Sequence, residues 1–200
     1  MIVTKLLRNF QTELRNNFLN TSQKLGLILM DIPFIKMQGA GNDFVVISPF
    51  FGSAPVEKLS RSHLKFIANR HYGVGADQIL TVKTCMNQEA QYEFKIINSD
   101  GTEVEQCGNG ARCVTRFLFD LGMLSGKETF LKSKAGVIKA TVLDDLNIQV
   151  QMTVPKFNTV EVGLKKNLMN KQKINKHEIF LLPYKQEVIK IFLVSMGNPH

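Results

Sequence analysis

The run Asn98-Ser99-Asp100-Gly101-Thr102-Glu103-Val104-Glu105-Gln106-Cys107-Gly108-Asn109-Gly110-Ala111-Arg112-Cys113 is where this chain's residue types and spacing point most directly to chemistry. It is polar, and it ends in a glycine-flanked cysteine opening onto an expected helix over about 111–121, where Val114, Phe117, Leu118 and Leu121 share one face. At such a helix end the Cys107 thiol faces unpaired backbone N–H groups and the positive end of the helix dipole, which favours the thiolate. The same N–H groups can hold a carboxylate, so one loop can bind an anion and set a base against it. Gly108 and Gly110 let a ligand approach the backbone closely. Without that chemistry, Cys107 is a small residue in a tight turn. Zinc is not supported, because Cys107 and Cys113 are six apart with no His or second cysteine pair beside them. Cys113 would face away from Cys107 on a helix starting near Gly108, so Cys85 and Cys113 are read as buried apolar residues.

A second turn, Gly39-Ala40-Gly41-Asn42-Asp43-Phe44, comes after a strand-like run and invites comparison with a dinucleotide fingerprint. The comparison fails: Phe44 replaces the third glycine, and the residues after it read as another strand instead of a helix. Two readings stay open, a hairpin turn needing positive φ and a ligand-binding turn. Asn42 adds a donor and an acceptor suited to the charged ends of an amino acid.

The elements that must position these residues alternate irregularly. Residues 4–19 carry apolar side chains at helical spacing (Leu6, Leu7, Phe10, Leu14, Phe18). Short strands are expected at Phe34–Met37 and Phe44–Ile47, a helix over Val56–Arg70, and strands at Gln78–Val82 and Gln91–Ile97. Beyond the helix at 111–121, three β-rich runs (Thr129–Lys132, Gly136–Leu143, Asn147–Val154) resemble a meander, and two more lie at Ile179–Leu182 and Val188–Val194. The pattern is mixed α and β without a regular βαβ alternation.

Composition narrows the partners. With 200 residues and 44% apolar content, the chain can bury roughly 70% of its unfolded surface. No stretch reaches the apolar length of a spanning helix, so a soluble chain without a membrane partner is expected. The net charge of +8 invites a nucleic-acid reading. Residues 34–155, however, hold 13 basic and 12 acidic side chains, and the excess sits in the leader and in a Lys-rich stretch after 156. That stretch has no arginine and few aromatics, so it reads as a solvated loop or sheet face, and no nucleic-acid partner is expected. Three cysteines make no disulfide framework, which favours a reducing, cytoplasmic setting. Residues 1–33 lack a signal-peptide pattern. They read as a helical, dispensable extension, with an organelle transit peptide as the second reading.

FIKMQGAGNDFVVI, RHYGVGADQIL, INSDGTEVEQCGNGARC and SMGNPH, in this order and at these spacings, closely resemble the diaminopimelate epimerase family. The resemblance covers residues 34–200. It implies an α+β fold of two pseudo-symmetric lobes, each a mixed, largely antiparallel sheet wrapped around a central helix, with the substrate between them. It implies an isomerase that interconverts LL- and meso-diaminopimelate without cofactor or metal, in lysine and peptidoglycan synthesis. One cysteine thiolate removes the α-proton and an opposing cysteine thiol protonates the other face. Matching motif by motif makes Cys107 one of these cysteines and His200 a histidine that tunes them. Asn42, Gln78, Asn98, Gly108, Asn109 and Asn198 become substrate contacts. Gln38 stands where many relatives carry His.

The domains expected are the extension over 1–33, an N-terminal epimerase lobe over 34–151, and the incomplete beginning of a second lobe over 152–200. The family continues past this point to a second catalytic cysteine, so the 200-residue chain is expected not to epimerise by itself. For the full-length form the resemblance leaves a homodimer open. The alternatives are a truncated, non-catalytic remnant or binding fragment of the same fold, and a related proline racemase or phenazine-pathway isomerase. The Cys-Gly-Asn-Gly-Ala-Arg run disfavours the latter two.

Overall fold

A computed structural model of the chain describes residues 32–51, 56–86, 88–157, 170–174 and 177–196. The chain divides into Met1–Ile32 and Pro33–His200, and the elements named below belong to the second unit. The helix expected over 4–19 falls outside the described residues.

The apolar runs become strands, and the turn residues between them set their order. β1 (Phe34–Gly39) and β2 (Asn42–Ile47) form a hairpin whose last rung is Gly39 with Asn42. Its two-residue loop has φ 50° at Ala40 and 91° at Gly41, both positive as a type I′ turn demands. Glycine takes this freely, whereas Ala40 carries a local cost of about 1 kcal/mol. β3 (Gln78–Thr84), β4 (Tyr92–Asn98), the two-residue β5 (Glu103–Val104), β6 (Glu128–Ser133), β7 (Gly136–Val142) and β8 (Ile148–Val150) complete an eight-stranded sheet. The order is β1-β2-β3-β4-β6-β7-β8, with β5 paired to β4. The β2–β3 and β4–β6 pairs are parallel and the others antiparallel.

Helix α1 (Arg61–Ala68) lies against β3, and helix α2 (Gly108–Asp120) touches β1, β2 and β3 at one side of the sheet and β7 and β8 at the other. A single helix can meet both sides only if the sheet curls around it, and the sheet is therefore a half-barrel with α2 at its centre. The sequence of α2 suits that place. Ala111, Cys113, Val114, Thr115, Phe117 and Leu118 are all buried, far more of the circumference than a surface helix covers. Phe44, Leu80, Phe94 and Leu131 meet this helix from the concave face. Val45, Ile47 and Ile79 are buried as well, outside that cluster. This is the α+β lobe, a mixed sheet wrapped around a helix, that the family resemblance implies.

Several boundaries differ from expectation for local reasons. The helix expected from Val56 begins at Arg61, because Ser60 caps it: Ser60 Oγ accepts from the His63 N–H at 3.3 Å and His63 Nδ1 accepts from the Ser60 N–H at 3.2 Å. Val56–Lys58 is a separate 3-10 turn. α2 begins at Gly108, three residues before the expected start, because Cys107 supplies its cap. It closes on a Schellman pattern, with Met123 N–H donating to Leu118 O at 3.0 Å and Gly122 N–H to Phe119 O at 2.9 Å. The third run of the meander stops at Val150 instead of Val154.

β9 (Asn170–Ile174), β10 (His177–Tyr184) and β11 (Glu187–Phe192) make a separate antiparallel sheet in the order β11-β10-β9. β9 arises from the Lys-rich stretch and is exposed along its whole length, the solvated sheet face that its composition allows.

Candidate active site

Cys107 is the N-cap of α2, with extended backbone (φ −148°, ψ 108°). Its carbonyl accepts from the Ala111 N–H at 2.9 Å and its Sγ from the Gly110 N–H at 3.4 Å. The sulfur thus takes the place usually held by a serine or aspartate oxygen at a helix start, where N–H groups converge. Gly110 packs tightly here: a Cβ on it would stand 3.1 Å from Leu80 Cδ2, which would have to give by a few tenths of an ångström, and 3.7 Å from Cys107 Sγ. Gly108 lies beside Met152, whose Sδ would be 3.0 Å from a Cβ at that position. The N–H groups of Gly108 and Asn109 have no acceptor in their own helix.

Asn109 extends from the same first turn. Its side-chain N–H donates to Asn42 Oδ1 at 2.8 Å, and its own Oδ1 accepts from the Arg112 guanidinium. The Gly39–Phe44 turn is therefore a hairpin turn and also brings Asn42 against the helix that Cys107 caps. On the neighbouring strands, the Gln78 side-chain N–H donates to Asn98 Oδ1 at 2.8 Å across a β3–β4 rung. Gln78 Oε1 is buried and accepts no hydrogen bond among the described residues. Such an orphaned acceptor costs about 1–3 kcal/mol, so a further donor is favoured at this place.

Cys107, Asn42, Gln78, Asn98, Gly108 and Asn109 therefore gather where β2 and β3 begin, β4 ends and α2 starts. Asn198 and His200 lie outside the described residues. Gln38 pairs with Asp43 on the β1–β2 ladder. Cys113 is buried within α2 as expected, close to the end of β1, and a Cβ on Gly39 would stand 3.2 Å from its sulfur. Burial pushes its thiol up to about 11 against the opposing pull of Arg112. Cys85 is half-buried, not buried as expected, because it comes directly after β3 in the β3–β4 turn, where its N–H donates to Gln91 O at 2.9 Å. Seven residues from Gln78 along an extended strand put it roughly 20 Å from the gathered side chains. Among the described residues no cluster of three or more His, Cys, Asp or Glu is arranged to hold a metal ion.

One feature of this corner went unread in the sequence. Asp43 and Asp77, each next to an expected contact residue, are bridged by Arg70. Its Nη2 donates to Asp43 Oδ1 and to Asp77 Oδ1, both at 2.7 Å, and its Nη1 donates to Asp43 Oδ2 at 2.9 Å. Lys36 Nζ joins at 2.8 Å from Asp43 Oδ2. The Arg70 guanidinium, assisted by Lys36, holds the Asp43 carboxyl well below the usual carboxylate range. The Asn-Asp and Asp-Gln neighbours in two of the motifs were a legible signal, since each pairs an amide with a charge that needs a partner.

Residues 34–158 match the family model described as diaminopimelate epimerase. The chain is 40% identical over 175 residues to the diaminopimelate epimerase of Albidiferax ferrireducens, a match covering 86% of this chain and 59% of that protein. It is 39% identical over 173 residues to that of an Azoarcus species, covering 86% and 58%. It thus spans somewhat under three-fifths of the length of these curated relatives. In fold it is similar to the solved structure of a hydroxyproline epimerase from Agrobacterium vitis, with a TM-score of 0.52 at 16% identity over 80% of this chain and 48% of the other. Matched by the family model over 34–158 and by these relatives over 86% of its length, the chain belongs to the diaminopimelate epimerase family.

Proposed function

We infer that this chain forms the Cys107 side of a site that inverts an α-carbon of diaminopimelate, one face of a cofactor-independent, two-base epimerase. What supports the reading, beside family membership, is the buried Gln78 Oε1, which accepts no hydrogen bond among the described residues at the strand ends where α2 begins. An α-ammonium group is a donor of the right charge for it. The substrate carboxylate takes the N–H groups of Gly108 and Asn109, and Asn42 and Asn98 fix its orientation. Asn198 and His200 complete the proposed set, His200 by tuning the thiol.

In this arrangement the Cys107 thiolate removes the α-proton. The electron pair stays on the α-carbon and spreads into the carboxylate, which the helix N–H groups stabilise. A second acid then delivers a proton to the opposite face, so the centre inverts with no net gain or loss of atoms or electrons. That acid is neither Cys113, which is buried under the end of β1, nor Cys85, at the far end of β3. It is proposed to be a second cysteine thiol, as the family resemblance implies.

The test is proton NMR of the purified chain with LL- and with meso-diaminopimelate in deuterated water. The expected result is slow replacement of an α-proton by deuterium with retention of configuration and without LL/meso interconversion. Cys107→Ser should slow it by about a hundredfold or more, on the scale of losing a catalytic base. Exchange that survives Cys107→Ser would remove the proposed role of that residue. Net interconversion by the chain alone would show that a second acid is present in it.

A further inference from the structure

The Asp43, Arg70, Asp77 and Lys36 cluster lies directly behind two of the proposed contacts. Asp43 comes after Asn42 and Asp77 precedes Gln78, and the two aspartates stand side by side where the parallel β2–β3 pair begins, since Phe44 is in register with Gln78. They are also tied backbone to side chain. Asp43 N–H donates to Asp77 Oδ2 at 3.1 Å, and Asp77 N–H donates to Asp43 Oδ1 at 2.8 Å. Two carboxylates that close repel unless a cation lies between them. Arg70 is that cation: its Nη2 alone reaches both at 2.7 Å, and its Nη1 adds a second bond to Asp43 that a lysine's single nitrogen cannot make alongside. Lys36 reaches only Asp43 among these acids, and its ammonium also donates to the Gly75 carbonyl.

The cluster is poorly placed to stabilise the fold. The Arg70 side chain is 55% exposed and that of Asp77 42%, and ion pairs in water at this exposure contribute little. Its consequence is geometric. The entries of β2 and β3 carry Asn42 and Gln78, whose side chains bind Asn109 on α2 and Asn98 on β4. A shift of one entry against the other would separate those amides.

We propose that Arg70 is a positioning residue of the site: by bridging Asp43 and Asp77 it fixes the entries of β2 and β3, and so holds Asn42 against Asn109 and Gln78 against Asn98 in the arrangement that receives the substrate. Its functional half rests on the proposed binding of diaminopimelate at this corner; its geometric half does not.

The test uses the full chain labelled with nitrogen-15. Solvent exchange is measured for the side-chain amide protons of Asn109 and Gln78 without ligand, and LL-diaminopimelate binding is then titrated. In Arg70→Ala both amide groups are expected to exchange at least fivefold faster, while the backbone amides of Ile96 and Val114 stay within twofold of the parent. The dissociation constant is expected to rise about tenfold. Arg70→Lys, which keeps the charge and one bridging nitrogen but loses the second bond to Asp43, should fall between. Full rescue by Arg70→Lys overturns the part assigned to the second nitrogen. Side-chain exchange within twofold of the parent overturns the proposal, as does an equal rise at Ile96 and Val114, which would mean general loosening. If Arg70→Ala does not fold, Arg70→Met, which keeps the bulk and removes the charge and donors, decides on the same two amide groups. A parent chain that binds no diaminopimelate overturns the functional reading, and ligand-free exchange still decides the geometric one.

Discussion

Cys107 and Cys113 sit six positions apart, one capping α2 and the other inside it. Cys107 caps the helix with its sulfur against an N–H, half-buried at a strand end. Cys113 is 4% exposed, and burial raises its thiol to about 11. A thiol whose value is higher folded than unfolded stabilises the fold fully below the unfolded value, near 9, and that contribution is lost as the pH climbs towards 11. The wild-type chain should therefore lose roughly 2 kcal/mol more between pH 8 and pH 11 than Cys113→Ala does, measured by urea unfolding at both pH values. Equal losses in the two proteins would show that Cys113 does not carry the effect. That Cys107 marks a helix start was legible from its flanking glycines. The partners of Asn42 and the unpaired oxygen of Gln78 were not, because a lone amide in a sequence does not say which strand will face it.

At the scale of elements, α2 is the part on which the rest is assembled. Phe117 is 2% exposed and its ring stands edge-on to that of Phe51, 5.2 Å between centroids. Phe117→Ala should cost about 3–5 kcal/mol in denaturant unfolding, the range for removing a buried aromatic, because the surrounding strands cannot close the gap. A loss below about 1 kcal/mol would mean that the half-barrel collapses onto the helix more freely than this geometry allows. Strand positions from Phe34 to Ile97 were largely readable, since short apolar runs bounded by turn residues are local signals. Helix ends were less so: hydrophobic spacing runs through Val56 and Leu59, and only the reciprocal bonds of Ser60 and His63 place the start of α1 at Arg61.

Over the whole molecule, burial is uneven. In β2, Phe44, Val45, Val46 and Ile47 are all fully buried, whereas β9 is exposed throughout and five of the six residues of β11 are exposed. Hydrogen exchange read by mass spectrometry should find peptides spanning 42–47 and 78–84 protected at least tenfold longer than those spanning 170–174 and 187–192. Uniform protection would mean that the smaller sheet is held by more than its described contacts. Charge shows a related division along the chain: residues 34–155 are nearly neutral and carry most of the proposed contacts, which suits a zwitterionic amino acid better than a polyanion. By itself the sequence determined what depends on near neighbours, namely the four motifs that resemble the family, the cysteine opening onto a helix, the turn after Met37 and the short apolar strands. Only the tertiary structure decided that Asn42 meets Asn109 across 67 positions, that one arginine bridges two aspartates, and that Cys113 lies buried under β1. Those meetings depend on the order in which strands pair and on the curl of the sheet around α2, and neither is encoded in the spacing of any single segment.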